Sequence, residues 1–230
     1  MTELFTSSAY LAVIVSLLSY LFGMELKKKF GYSLLNPLLI SIIVTIAFLL
    51  IFDIPASTYQ AKASLLSYFL TPATVALAIP LYKQFELLKK NVVAIIIGIV
   101  AGCITSALCV LAVAIIFKMD HAAYVTFLPK SITSAIGMGV AEELGGIPAI
   151  TVPTIILTGI FGNIFAPMTL NLFKITNPIA KGIAIGTSSH ALGTAKAMEL
   201  GEVEGAMSSL SICVAGLITV VLASVFAMFI

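Results

Sequence analysis

The sequence contains no arginine, few charged residues and only three cysteines. Charged residues make up 10% of its 230 residues and hydrophobic residues 60%, with a mean hydropathy of +1.17. Water-soluble domains carry roughly 25% charged and 45–50% apolar residues, so this composition excludes a soluble globular domain. The low charge also excludes an intrinsically disordered chain. Because the apolar runs last 17–27 residues, far longer than the strands of about ten residues in a membrane β-barrel, the sequence predicts an all-α polytopic membrane protein.

The missing residue types also limit the chemistry. All twelve cationic side chains are lysines, and the net charge of +2 is too small and dispersed to indicate a nucleic-acid partner. An anion site must therefore use lysine, histidine, hydroxyls or backbone amides instead of a guanidinium fork. The three cysteines lie among small and aliphatic residues, which favours packing roles over a disulfide or metal site. Without a Walker A, G-x-S-x-G, dinucleotide or metal-spaced motif, we expect no enzyme, no cofactor and no metal.

Six apolar stretches are long enough, or nearly so, to cross a bilayer, for which about 20 residues are needed. They are 8–24, 36–52, 64–82, 91–117, 147–173 and 205–230. Eight of the twelve lysines fall in the loops after the first, third and fifth stretches. The positive-inside rule places these loops in the cytoplasm and the N-terminus outside.

An internal repeat follows the fourth stretch. Residues 135–145 recur at 191–201 with six of eleven positions identical, and a long apolar stretch follows each copy. Chance similarity is the alternative. With one crossing between them, the copies enter from opposite faces, an arrangement common in secondary transporters. The sequence predicts about six full transmembrane helices plus two broken or re-entrant Gly/Ser/Thr-rich segments forming an inverted repeat, divided as a four-helix region at 1–117 and repeats at 118–173 and 174–230.

The broken segments contain the candidate binding residues. Irregular backbone at membrane depth must be buried or line a water-filled cavity, and helix N-termini that follow it suit a carboxylate. The candidates for substrate binding are Lys130, Ser131, Thr133, Thr187, Ser188, Ser189 and His190. A lysine that snorkels to the headgroups is the alternative for the first, and a structurally hydrogen-bonded histidine is the alternative for the last.

Four further residues are candidates for coupling or gating. Glu143 and Glu199 occupy equivalent repeat positions, and Lys196 lies three residues before Glu199, a spacing that allows an ion pair on a helix. Ionisable groups inside a membrane indicate function, whereas a solvated pair at the surface would not. Asn163 interrupts the fifth stretch, and its alternative role is a helix–helix hydrogen bond.

Several motifs resemble one bacterial family across nearly the whole chain. They are ALAIPLYKQ at 76–84, LPKSIT at 128–133, NPIAKG at 177–182, GTSSHALGTA at 186–195 and ELG at 199–201. On these motifs the chain is similar to the LrgB/CidB family of membrane proteins. The wording at 130–133 and 193–196 leans toward the CidB side.

The resemblance implies two alternative functions in a bacterial cytoplasmic membrane. One is a holin- or antiholin-like protein that modulates murein hydrolase activity and cell lysis beside a small LrgA/CidA-type partner. The other is transport of small monocarboxylates such as pyruvate or glycolate, as in the fused plastid relative that carries glycolate and glycerate. The residues favour transport by alternating access, because a pore needs no repeat that brings two polar segments toward each other. The sequence leaves open whether the chain forms a homo-oligomer.

Overall fold

A computed structural model describes residues 10–31, 35–69, 72, 75, 76 and 78–230, and every regular element in this part of the chain is helical. The helices are α1 (Tyr10–Phe30), α2 (Pro37–Ile51), α3 (Ala56–Lys62), α4 (Ser64–Tyr68), α5 (Ala78–Lys83), α6 (Phe85–Phe117), α7 (His121–Phe127), α8 (Ser134–Glu143), α9 (Pro148–Leu172), α10 (Pro178–Leu200) and α11 (Glu202–Phe226). The all-α prediction is confirmed.

Four of the described helices are long and apolar enough to cross a membrane. They are α1, α6, α9 and α11, the last extended by a short 3₁₀ turn, and α2 is a shorter apolar helix. Their bounds agree with five of the six predicted stretches, and the chain is a multi-pass membrane protein. The third predicted stretch, 64–82, lies partly outside the described residues, which include α4 and α5 at its two ends.

Two Asn-Pro pairs start helices in the same way. The Asn36 side chain accepts hydrogen bonds from the amides of Leu38 and Leu39, and Asn177 accepts from Ile179 and Ala180. In each pair the proline follows at the first helical position, where its missing N–H costs nothing. These caps fix the starts of α2 and α10.

The chain forms two compact units, one within residues 1–76 and the other within 77–230. In the first, α1 packs on α2 around buried Ala12 and Ile54. In the second, α6 packs on α10 and α11. These contacts group α6 with the repeat region, whereas the predicted division placed it in an N-terminal region at 1–117. The three-part division stays a prediction.

The α10 helix is a hairpin, which we term hairpin 2 (178–200). His190 breaks it with a φ of 42° and a ψ of −139°. Its first arm runs alongside α11, since Gly182 approaches Glu204 and Gly186 approaches Ser208. Its second arm returns, since the Thr194 and Ser208 hydroxyls lie 2.7 Å apart and Gly205 approaches Met198. The second broken segment therefore turns back on itself, and its predicted re-entrance into the membrane stays a prediction.

The first broken segment has the same form, and we term it hairpin 1 (121–143). The arms are α7 and α8, and residues 128–133 form a tip of turns between them. The open end is closed by His121, whose Nε2 lies 3.1 Å from the carbonyl oxygen of Leu144. The Ile147 amide also donates to the Thr126 hydroxyl at 2.8 Å, which ties the start of α9 to α7.

The two hairpins open toward opposite ends of α11. Near the start of α11, the Glu204 carboxylate lies 3.9 Å from the Lys181 ammonium of hairpin 2. Near its end, the Phe226 carbonyl accepts a 3.0 Å hydrogen bond from the Tyr124 hydroxyl of hairpin 1. Twenty-five residues of α11 span about 37 Å at 1.5 Å per residue, enough to cross a hydrocarbon core of about 30 Å. The hairpins thus enter from opposite ends and point their tips toward each other.

Candidate functional site

The tip of hairpin 1 forms a polar cluster with α6, which we term the hydroxyl cluster (Ser106, Lys130 and Ser131). The hydroxyl oxygens of Ser106 and Ser131 lie 3.0 Å apart. The Lys130 ammonium donates to both, at 3.3 Å and 3.1 Å. Lys130 and Ser131, two predicted site residues, therefore share a hydrogen-bonded network with Ser106 of α6.

The hydroxyl cluster lies deep along α6. Ser106 precedes the end of this helix at Phe117 by eleven residues, or about 16 Å, roughly half the thickness of the hydrocarbon core. Lys130 is half-buried. Among the described residues, four other lysines form ion pairs, and no carboxylate oxygen lies within 4.0 Å of the Lys130 ammonium. A half-buried ammonium whose hydrogen-bond partners are neutral hydroxyls favours an anion.

Hairpin 2 brings Thr187 to the same place. Thr187 and Ser131 both line a cavity of about 10 Å³ between the hairpin tips, the size of roughly one water molecule. Ser106 on α6 and Thr219 on α11 supply two more hydroxyls to its wall. The structure therefore joins residues of both predicted repeats around one small cavity, whose wall carries four hydroxyl side chains among apolar ones.

Ser106 and Thr219 are site residues that the sequence interpretation missed. Both lie in long apolar helices, where an isolated hydroxyl usually bonds to its own backbone. The signal that would have found Ser106 is its spacing, because Gly98, Gly102 and Ser106 follow at intervals of four along one helix face. Gly102 on this face touches Thr187, and a Cβ there would lie 2.9 Å from its hydroxyl oxygen.

Three other candidates lie elsewhere. Ser188 is exposed and faces α9, in a separate cavity of about 350 Å³ that Gly162 also lines. Ser189 is buried, and its hydroxyl lies 3.0 Å from that of Ser188. Thr133 is the half-buried residue immediately before α8. Their predicted role in substrate binding stays a prediction.

His190 is buried at the tip of hairpin 2 and bonds to protein. Its Nε2 lies 2.9 Å from the Ile155 carbonyl oxygen of α9, and Gly159 leaves the space that its ring occupies. The Thr194 hydroxyl donates to the His190 carbonyl at 3.0 Å. This geometry is that of the structural alternative, and the predicted substrate role stays a prediction.

We expect His190→Gly to be more stable than His190→Ala. Both variants lose the bond to Ile155, but only glycine adopts the positive φ of 42° without strain. The difference should be about 1 kcal/mol, since such strain costs of order 1–3 kcal/mol. Thermal unfolding of both variants in detergent measures it. An alanine variant as stable as the glycine variant would show that the backbone at this tip is unstrained.

The four coupling or gating candidates lie in different surroundings. Lys196 and Glu199 form an ion pair of 2.7 Å on the second arm of hairpin 2, whereas Glu143 is exposed at the end of α8. The Asn163 amide of α9 donates to the Leu192 carbonyl at 2.8 Å, a helix–helix tie. Their part in coupling or gating stays a prediction. Within the described residues, no group of three or more His, Cys, Asp or Glu side chains could hold a metal ion.

Fold and site together define a polytopic helical membrane protein with two opposed helical hairpins and a polar centre. The chain belongs to the LrgB-like family, whose model matches residues 16–229. It is similar to the antiholin-like protein LrgB of Bacillus cereus strain B4264 and to that of Bacillus anthracis strain A0248. Each is 40% identical over 226 residues, which cover 98% of this chain and 98% of the relative.

The comparisons support the LrgB family but not every detail of the predicted resemblance. The matched relatives carry the name LrgB, so the leaning toward the CidB side stays a prediction. No solved structure matches the chain. The relatives are named for an antiholin-like role and not for an enzymatic one, whereas the membrane compartment and the side of the N-terminus stay predictions.

Proposed function

We propose that this protein is a secondary transporter of small monocarboxylates of the pyruvate or glycolate kind. The observation that carries the proposal is the meeting of Ser131 of one hairpin with Thr187 of the other around a small cavity, with the Lys130 ammonium 3.1 Å from the Ser131 hydroxyl. An ammonium offsets the charge of a carboxylate, and hydroxyls replace its hydration. Broken helices of opposed repeats are where secondary transporters bind substrates.

The small volume of the cavity fits a carrier whose two hairpin tips lie close together. Its volume of about 10 Å³ is far too small for a three-carbon acid, so binding requires the hairpin tips to separate. Each tip rests on helices that also contact the other hairpin, since α11 packs against both. Alternating access then consists of movement of the hairpins relative to α6 and α11.

The relatives support a second candidate function more directly than they support the first. Their names describe antiholin-like proteins, at 40% identity over almost the whole chain. In that case the protein modulates lysis, together with a small LrgA-type membrane partner. The two candidates differ in what crosses the membrane, because a carrier selects by chemistry and a lytic pore selects mainly by size.

Uptake of radiolabelled pyruvate, glycolate and lactate into proteoliposomes separates the two candidates. The purified chain is expected to give saturable uptake, which unlabelled substrate competes away, while entrapped calcein is retained. An imposed proton gradient tests coupling, and liposomes without protein are the control. If the protein gives no saturable uptake, either alone or with an LrgA-type partner, and calcein is released, the carrier is contradicted and the holin-like alternative is favoured.

A further inference from the structure

Two open spaces approach the centre of the second unit from opposite ends of α6. The first, the Thr187 groove, lies between α6 and α10 and has a volume of about 460 Å³. Asn91 and Asn177 line one end, and Gly102 and Thr187 line the other. The second, the Lys130 pocket, has a volume of about 200 Å³.

The groove follows two helices that run in the same direction. Along α6, Gly98 faces Ile183 and, one turn later, Gly102 faces Thr187, so equal steps on both helices stay in register. From Asn91 to Gly102 the groove extends eleven residues, or about 16 Å. None of the residues that line the groove is charged. Lys90 precedes Asn91 in the chain, and Lys174 lies three residues before Asn177, so the chain near the outer end of the groove carries positive charge, which favours anions.

The Lys130 pocket extends the other way along α6. It is lined by Cys109 and Val113, by Met119 after the end of the helix, and by Phe127 and Lys130 of hairpin 1. These residues lie beyond Ser106, toward the end of α6 at Phe117. Lys130 therefore belongs both to this pocket and, through its bonds to Ser106 and Ser131, to the hydroxyl cluster.

Between the two spaces lies a thin barrier. Thr187 lines both the groove and the 10 Å³ cavity, and Ser131 and Ser106 line that cavity on the side of Lys130. We infer that the groove and the pocket are two half-pathways from opposite membrane faces, separated by Thr187, Ser131 and Ser106. This inference rests on the proposed function for its substrate, a small carboxylate, but its geometry can be tested without one.

The half-pathways predict which thiols react with water-borne reagents, and from which face. Cys109 is exposed within the Lys130 pocket, so a chain with Cys103→Ala and Cys213→Ser reports on that pocket. Adding Cys109→Ser and Gly98→Cys reports on the groove instead. The reagent is a membrane-impermeant sulfonated methanethiosulfonate, applied to right-side-out and inside-out vesicles and read as blocked maleimide labelling.

Neighbouring positions on α6 give matched controls. Leu108 precedes Cys109 and Ile97 precedes Gly98, and both are exposed, so a cysteine at either place lies at the same depth on the lipid-facing surface. We expect Cys109 and Gly98→Cys to react at least tenfold faster than Leu108→Cys and Ile97→Cys. The two pathway thiols should react in opposite types of vesicle. Ala94→Cys, one turn nearer the start of α6 and also in the groove, replaces Gly98→Cys if that variant does not fold.

The outcomes separate this inference from the proposed function. Reaction of both pathway thiols from one face, or at the rate of the lipid-facing controls, overturns the two half-pathways even where carboxylate uptake is observed. Opposite-face labelling without uptake of any tested acid retains the half-pathways and removes the monocarboxylate substrate. Slower labelling of the pathway thiols in the presence of pyruvate would support both the half-pathways and the monocarboxylate substrate.

Discussion

Replacing Lys130 by methionine is expected to weaken saturable monocarboxylate uptake strongly while the protein stays folded. Methionine keeps the length and apolar stem of the side chain but removes the charge that we propose binds the carboxylate. A hydrogen bond to a charged group contributes about 1.5–3 kcal/mol, so affinity should fall roughly ten- to a hundredfold or more at 1.4 kcal/mol per tenfold step. Uptake at several pyruvate concentrations in proteoliposomes gives the change.

Folding should survive because the change leaves no charge buried without a partner. The Ser106 and Ser131 hydroxyls retain each other at 3.0 Å. Lys118→Met, at an exposed lysine just after α6, is the matched control and should transport normally. Lys130→Arg keeps a positive charge and should recover part of the uptake. Unchanged uptake by Lys130→Met would mean that Lys130 only snorkels to the headgroups.

Gly186→Ala is expected to cause a large loss of stability. A Cβ at Gly186 would lie 2.5 Å from the Ser208 carbonyl oxygen and 2.8 Å from the Ser208 Cα. These are backbone atoms of α11, so the helices must move apart. Overpacking of this kind costs typically 1–3 kcal/mol and occasionally more. Thermal unfolding in detergent, followed by circular dichroism, should show a lower midpoint and a lower folded yield.

Gly139→Ala provides the matched control for that substitution. Gly139 also lies within a helix, and a Cβ there meets no atom within 4 Å. Alanine is favoured over glycine in a helix by about 1 kcal/mol, so this variant should be as stable as the parent or more so. Equal midpoints for Gly186→Ala and Gly139→Ala would contradict the close packing of hairpin 2 on α11.

The apolar helices could be predicted from the sequence because each depends on local composition. Long runs without charge predict α6, α9 and α11 to within a few residues at most ends, although the polar start of α6 at Phe85 extends beyond the apolar run. The repeat at 135–145 and 191–201 marks the second arm of each hairpin. Whether the broken segments turn back could not be predicted from periodicity, because reversal depends on tertiary contacts such as that of Thr194 with Ser208.

The candidate site was predicted in part for a related reason. Lys130, Ser131 and Thr187 stood out as polar residues in irregular segments, and the structure brings them together. Ser188 and His190 belong to the same motif, but successive helical residues point in different directions, so Ser188 and His190 face α9. The sequence analysis therefore grouped these neighbouring residues into one site, although their side chains point to different sides of the helix. Ser106 shows the converse, since its partners lie 24 and 25 residues away in the chain.

The packing of α11 against both hairpins has a consequence for biogenesis. Each hairpin arm is too short to span the bilayer and carries hydroxyls that lipid cannot solvate. The helix that packs against both hairpins follows them in the chain, so the hairpins are synthesised before their packing partner α11 is present in the membrane. The insertion machinery must therefore hold these polar tips away from lipid until α11 emerges. We therefore expect the two hairpins to reach their final positions only after α11 is in the membrane, whereas the long apolar helices that precede it can insert earlier.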